Sequence, residues 1–262
     1  MRTVLICHAE DRFDREALAA WLASFSTLAG IVVLAETPAQ LRQRYLRELR
    51  RVGPLGFLDV VAMRLYQRLF LAADERRGLS AVFDATMARH GPAPAVPELH
   101  VASGNDPRVA AFLRDAAPDI VLARCKQLLS RKVFSIARAG TFVMHPGICP
   151  EYRNAHGCFW ALARRDLDRV GMTLLRIDPG IDTGPVFGYY AYPFDERREG
   201  YNLIQCRVVA DNLDALAEKF REIHAGTATQ IDTRGRDSGV WGQPRLSAYL
   251  AWRRALAREG PR

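Results

Sequence analysis

Long apolar runs are missing from this chain of 262 residues, and none approaches the ~18 consecutive apolar residues a membrane-spanning helix needs. The N-terminus, MRTVLICHAEDRF, has one arginine ahead of a five-residue apolar run that charges soon interrupt, which excludes a secretory signal and points to the cytoplasm. Cysteine is sparse and unpatterned. The five thiols at 7, 125, 149, 158 and 206 show neither a C-x-x-C pair nor a secreted framework, so they are expected to stay reduced. Lysine is nearly absent, being confined to Lys126, Lys132 and Lys219, so arginine carries the net charge of +8. No basic stripe is interleaved with stacking aromatics, and nucleic acid is therefore not an expected partner. Internal repeats and low-complexity tracts are lacking too.

What is present is the pattern of a soluble α/β protein. Hydrophobic residues make up 49% and charged residues 25%, enough to bury a sizeable core. Thr3 to Cys7 reads as a buried strand, Leu18, Trp21, Leu22 and Phe25 as a helix face, and Ile31 to Leu34 as a second strand. Strand, helix, strand at this spacing opens a parallel sheet. The third clear strand is Asp119 to Ala123, after a helix from about Pro107 to Ala116. A helix near Ser130 to Ala137, a strand Thr141 to Met144 and a strand Met172 to Ile177 follow. One long helix is expected from Tyr201 to Ala225.

Between the second and third strands, LRQRYLRELRRVGPLGFLDVVAMRLYQRLF has helical periodicity on both sides of a Gly-Pro-Leu-Gly break. It reads as a helical hairpin inserted over about residues 40–80. Either Tyr45, Leu46, Leu49, Leu58, Val61, Leu65 and Leu69 pack on the core with the arginines solvated, or the segment offers a basic amphipathic face to anionic lipid or a partner protein. Residues 1–226 are expected to form the main domain and 227–262 a tail ending in a short helix. Trp241, Tyr249 and Trp252 make that tail a candidate dimer contact.

Two clusters carry chemistry. The first, VMHPGICPEYRNAHGCFWAL, begins where a predicted strand ends, and ligands of open α/β sheets bind at the carboxyl ends of strands. That places His145 where a catalytic residue belongs. A lone histidine is more often structural, but Tyr152, Arg153, Asn154 and His156 close by favour a functional one. Pro146, Gly147 and Pro150 stiffen the turn and let backbone approach a ligand. The second cluster, IDPGIDTGPVFG, follows another strand and carries Asp178 and Asp182, with Gly180 and Gly184 implying a tight loop. If the clusters meet, Asp182 can orient and charge-stabilise His145, the partnership behind a general acid or base. An aspartic protease is excluded, because a second Asp-Thr-Gly and a strand-rich body are lacking.

The order strand, HPGICPEYR, about thirty residues, strand, GIDTGP resembles the formyl-folate-dependent formyltransferase superfamily, which includes glycinamide ribonucleotide, methionyl-tRNA and nucleotide-sugar enzymes. The resemblance covers roughly residues 1 to 190. It implies a Rossmann-like, mainly parallel sheet flanked by helices, with 10-formyltetrahydrofolate as donor substrate and no metal. Residue by residue, it implies His145 and Asp182 as the catalytic pair. PDIVLARCKQLLS resembles the segment that holds the donor's pterin, implying donor contacts from Ala123, Arg124, Cys125, Lys126, Leu128 and Leu129, with Asp178, Gly180 and Ile181 flanking the same pocket. Pro146, Gly147, Tyr152, Arg153, Asn154 and His156 would then face the acceptor.

Two positions depart from the family pattern: Val143 stands where the family has asparagine two residues before the histidine, and Asn154 where it has glycine after the arginine. In the family an amine attacks the formyl carbon while histidine and asparagine steady the oxyanion. Losing one oxyanion donor costs roughly 10²- to 10³-fold in other acyl transfers, so Asn154 or Lys126 is expected to fill the gap. A hydrolytic or noncatalytic relative, or one moving another one-carbon or carbamoyl group, is the alternative. The first βα turn, CHAEDRFDREAL, has no glycines to cradle a phosphate, which disfavours a phosphorylated ribose acceptor. The ~35 residues after Gly226 are too few for a C-terminal barrel, which disfavours tRNA, and the chain starts almost at the first strand, where deformylating members of the family begin with a regulatory domain. A small-molecule amine is the expected acceptor: an amino sugar, an amino acid or a peptide-like metabolite.

Overall fold

A computed structural model of the protein describes residues 1–259. Seven strands form one sheet in the order β3 (Glu98–Val101), β2 (Thr27–Leu34), β1 (Arg2–His8), β4 (Ile120–Arg124), β5 (Gly140–His145), β7 (Met172–Arg176) and β8 (Val186–Tyr190). Strands β1 to β5 are parallel, and β7 runs antiparallel to both its neighbours. The chain builds outward from β1 to β2 and β3, then crosses back to lay β4 on the other side. The carboxyl ends of β1 and β4 thus flank a switch point, where open α/β sheets place ligands.

Alternation along β1 divides the interior. Val4 and Ile6 join Val32, Leu34, Val109 and Leu113 on one face, while Leu5 and Cys7 join Trp21, Phe142, Phe159 and Trp252 on the other. Each fully buried large aliphatic side chain stabilises the fold by about 1.5–3 kcal/mol, and covering both faces is why β1 reads as an unbroken apolar run. The cysteines are free thiols.

Helix α4 (Pro107–Ala116) forms as expected, with Asp106 accepting from the Arg108 amide at 2.9 Å. The helix expected at Ser130–Ala137 shrinks to the turn Arg131–Phe134, and strands β3 and β8 are additions to the expected set. Edge strand β3 alternates Glu98 and His100 with apolar residues, so it lacks the continuous run of a central strand. The single helix expected over Tyr201–Ala225 divides into α7 (Tyr201–Ala210) and α8 (Leu213–Ala225). At the break, the Asn212 side-chain amide donates to the carbonyls of Val208 and Ala191 at 2.9 and 3.0 Å.

The insertion is a helical hairpin, as its Gly-Pro break predicts. Helix α2 (Pro38–Tyr66) is capped by Thr37 and Gln40 and interrupted at Gly53, whose φ of 72° only glycine adopts freely. Beyond that break the Arg64 guanidinium sits 4.8 Å from the Tyr45 ring, a contact a straight helix rising 1.5 Å per residue forbids. The insertion runs on through a π-helical turn (Gln67–Leu71) into α3 (Ala72–His90), well past residue 80. The core-packing expectation is corrected. Val60 and Met63 are the fully buried residues of α2, while Tyr45, Leu46, Leu58, Leu65 and Leu69 are exposed because they lie on other sides of the helices.

The tail is also not the free aromatic surface that was expected. Helix α9 (Leu246–Arg258) buries Tyr249, Trp252 and Leu256 in the main core, so these two rings are packed within the chain. Ahead of it, strand β9 (Val240–Trp241) pairs with β6 (Arg153–Asn154), directly beside the first chemical cluster.

Candidate active site

His145 closes β5 and is buried, the residue being 3% exposed. Because β7 is antiparallel, it pairs Thr173 with His145 and Arg176 with Phe142, so β7 ends away from the histidine. The following loop returns to it. Arg153 donates to the Ile181 carbonyl at 3.1 Å and the Asn154 amide to Asp182 Oδ2 at 2.8 Å, bringing Oδ2 3.3 Å from His145 Nδ1. The loop re-enters β8 through Gly184, where a Cβ would fall 1.8 Å from the Arg176 carbonyl oxygen. That close passage accounts for the glycine after Asp-Thr. Asp182 itself has φ of 50°, a left-handed conformation that aspartate tolerates better than most residues.

The other ring nitrogen fixes the protonation pattern. His145 Nε2 lies 2.7 Å from the Tyr152 carbonyl oxygen, which can only accept, so Nε2 carries a hydrogen. In a neutral ring Nδ1 would then turn a lone pair toward a carboxylate. The contact is bonding only when a proton sits between Nδ1 and Asp182, as in an imidazolium–carboxylate pair. Asp182 is the less buried member of the pair.

The turn after His145 is built on close backbone contact. A Cβ on Gly147 would lie 2.5 Å from the Tyr152 carbonyl oxygen and 2.8 Å from the Gly157 Cα. Thr173 ties the turn to β7 by donating to the Gly147 carbonyl at 2.6 Å and accepting from the Cys149 amide at 2.9 Å. Pro146 contributes its carbonyl to the Cys158 amide at the start of α6 (Gly157–Ala163). The tail straps the outside. Trp241 stacks on Tyr152 and Trp160 with centroids 5.6 and 5.0 Å apart, its indole donates to the Glu151 carbonyl at 2.8 Å, and the Asn154 amide donates to the Trp241 carbonyl. Tyr152 is buried with its hydroxyl on Asp166 at 2.8 Å, so its carbonyl is what it brings to His145. Val143 packs among Cys149, Leu175 and Val186 and leaves an apolar wall where the resemblance calls for a donor.

Of the residues expected at the donor, Ala123 and Leu129 are buried in the second core. Arg124 is spent on Asp14 at 2.9 Å and the Met144 carbonyl at 2.7 Å, and the Cys125 thiol on the Gln127 carbonyl. Asp178 accepts from the Gly180 amide and the Thr183 hydroxyl, shaping the Asp182 loop. Lys126, Leu128 and Ile181 project outward. The Lys126 amide donates to His8 Nε2 at 3.1 Å, which leaves a proton on His8 Nδ1, and that buried nitrogen has no partner. His8 sits at the switch point, and no local sequence signal marks it. Among the described residues, no group of three or more His, Cys, Asp or Glu could hold a metal ion.

His156 has φ of 52° and lines a cavity of about 90 Å³ together with Met63, Arg64, Gln67, Tyr201, Asn202 and Gln243. Burial, then the charges of Lys126 and Arg64, push its pKa down to about 4, so the ring is neutral near pH 7. Arg64 meets Gln243 at 3.5 Å and the Tyr45 ring, but no carboxylate among the described residues. These partners come from four distant segments and could not be assembled from spacing.

The sequence model of the formyl transferase family matches residues 73–216, more than half of the chain. The chain belongs to the formyl transferase family. It is 31% identical over 137 residues to a methionyl-tRNA formyltransferase of Anaeromyxobacter dehalogenans, covering 52% of this chain and 43% of that protein. A methionyl-tRNA formyltransferase of Halorhodospira halophila is 32% identical over 141 residues, 53% of this chain and 44% of the relative. The matched region thus spans under half the length of these relatives. In fold the chain is similar to a phosphoribosylglycinamide formyltransferase of Anaplasma phagocytophilum (TM-score 0.55, 14% identity, 92% of this chain and 96% of that one). It is similar also to a sugar N-formyltransferase of Shewanella sp FDAARGOS_354 (TM-score 0.54, 15% identity, 98% and 88%).

Proposed function

We propose that this chain transfers the formyl group of 10-formyltetrahydrofolate to the amine of a small metabolite such as an amino sugar, an amino acid or a peptide-like amine. The observation that carries this reading is the His145–Asp182 pair, with Nδ1 3.3 Å from Oδ2. Family membership supports the reaction class. The donor fits the loop Cys125–Leu129 and the turn Asp178–Ile181, where the exposed side chains of Leu128 and Ile181 suit a flat ring and the unpartnered His8 Nδ1 and Lys126 suit its polar edges.

Formyl transfer makes a C–N bond to the acceptor nitrogen and breaks the one to the donor nitrogen, so one proton leaves the amine and one reaches the departing nitrogen. Asp182 takes the first and returns it as the second, while the His145 imidazolium keeps the carboxylate oriented and balances its charge. The pair ends each turnover as it began. The carbonyl oxygen gains charge during the attack, and with Val143 apolar and the Asn154 amide given to Trp241, Lys126 is the donor for it. On the acceptor side, a small polar cavity with Arg64, which has no carboxylate partner among the described residues, suits an amine that also carries an anionic group.

The test has two stages. Titration with a nonhydrolysable formyl-folate analogue is expected to raise the melting temperature, as binding to the native state requires. Incubation with the donor and a panel of amines is then expected to release tetrahydrofolate only when an amine is present. No shift at saturating analogue, or release that ignores the amine, overturns the reading, and the latter outcome marks a hydrolase.

A further inference from the structure

We propose that the hairpin of α2 docks this protein on an anionic bilayer surface, an inference independent of the active-site reading. Among the described residues no helix is long and apolar enough to cross a membrane, so docking would be peripheral. In the second half of the hairpin Leu55, Leu58, Ala62, Leu65 and Leu69 recur at steps of three and four, which aligns them along one helix face. That face points away from the core. Leu55 is 83% exposed, Leu58 62%, Leu65 56%, Leu69 72% and the adjoining Phe70 65%, while Val60 and Met63 anchor the helix from the other side. Folding does not require an outward apolar stripe, and single exposed leucines would need no explanation, but a row of this length does.

The charge around the stripe decides what covers it. From Arg42 to Arg68 the sequence holds seven arginines against Glu48 and Asp59. Glu48 is engaged by Arg51 and Asp59 by Ser247, and Arg44 is paired with Glu36. Exposed Arg42, Arg47, Arg50 and Arg68 have no ion pair or side-chain hydrogen bond among the described residues. A second copy laid on this face would bring two uncompensated positive hairpins together with both carboxylates already taken. Lipid phosphates supply the missing negative charge. The leucines enter the boundary between headgroups and acyl chains, and the long arginine side chains of the same hairpin reach lipid phosphates. The hairpin lies outside residues 73–216, which the family model matches.

Co-sedimentation tests this with the intact protein. Vesicles of phosphatidylcholine with phosphatidylglycerol are expected to pellet the protein at least about tenfold more strongly than phosphatidylcholine alone, falling with added salt. Leu58→Ser with Leu65→Ser and Leu69→Ser, and separately Arg47→Glu with Arg50→Glu and Arg68→Glu, are expected to abolish pelleting. All six positions are exposed, so an unchanged melting temperature shows that the variants fold. Wild-type protein that stays in solution with anionic vesicles overturns the proposal, as does equal pelleting with neutral ones. A concentration-dependent dimer that the leucine variant loses also overturns it and assigns the face to a second copy.

Discussion

Tyr152 holds His145 by its backbone and leaves the site by its side chain, since its carbonyl accepts from Nε2 at 2.7 Å while its hydroxyl binds Asp166 at 2.8 Å. A tyrosine beside His145 invites the reading of a substrate contact, and this geometry argues for a positioning residue. Tyr152→Phe keeps the carbonyl and the stack on Trp241 and loses one hydrogen bond. The expected result is a stability loss of about 1 kcal/mol in urea with kcat and KM near wild type. A KM raised tenfold would return the hydroxyl to the acceptor site.

On the proposed mechanism His145 and Asp182 act as one device. Asp182→Asn removes the carboxylate that receives the amine proton, and His145→Gln removes the charge that holds it. Each is expected to lower kcat on the order of 10²- to 10⁴-fold, and the double variant to cost little more than the worse single one. The melting-temperature response to a formyl-folate analogue should survive in all three. Additive losses in a double-mutant cycle would mean that the two groups act independently.

Lys126 and Asn154 separate by what they already bind. The Asn154 side chain is committed to the Trp241 carbonyl, whereas Lys126 is exposed and contacts the site through its charge on His156 and its amide on His8. Lys126→Met is expected to lower kcat on the order of 10²-fold with little change in stability. Asn154→Ala should act mainly on stability, because its φ of 80° disfavours alanine and the strap loses a bond. The reverse pattern, measured by kcat alongside urea midpoints, would move the oxyanion role to Asn154.

Acid should weaken the fold through His156. Its folded pKa of about 4 lies below the ordinary 6.5, so folding favours the neutral ring. The histidine's contribution is complete above pH 6.5 and is lost as pH falls toward 4, by about 3 kcal/mol at most. Asp14 runs the other way, because burial pushes its pKa up to about 6 against the pull of Arg124, so its share of stability declines as pH rises from 3.8 to 6. Comparing wild type with His156→Gln at each pH isolates the histidine. Parallel stability curves for the two proteins between pH 4 and 6.5 would show that His156 does not carry the effect.

How much of this was legible in the sequence follows from the range of the interactions. Buried strands and the paired motifs around His145 and Asp182 are local patterns, because a strand covered on both faces must be apolar throughout and a left-handed or close-packed turn must carry glycine or a tolerant residue. Antiparallel β7 was not legible, since an apolar run does not state its direction, and so the return path of the Asp182 loop was hidden. The exposure of the α2 leucines was hidden for a similar reason. Periodicity identifies a helix with apolar positions without saying whether two opposite faces can both be covered. Trp241 pointed to a dimer only until its partners, contributed by residues far earlier in the chain, were in view.

That strap supports a last prediction, because Trp241 touches neither His145 nor Asp182 and yet holds the segment that does. It stacks on Tyr152 and Trp160, its indole bonds the Glu151 carbonyl, and its own carbonyl takes the Asn154 amide, while the Asn154 backbone amide holds Asp182. Trp241→Ala removes both stacks and the indole bond, which should destabilise the fold by about 2–4 kcal/mol and loosen Glu151–Asn154. A displacement near 1 Å at a catalytic group can cost on the order of 100-fold in rate, so kcat should fall more than KM rises. Trp241→Phe keeps the stacking and loses the indole bond, and should recover most of the activity. If Trp241→Ala lowers the melting temperature yet leaves kcat intact at a temperature where it is folded, the strap stabilises the domain without positioning Asp182.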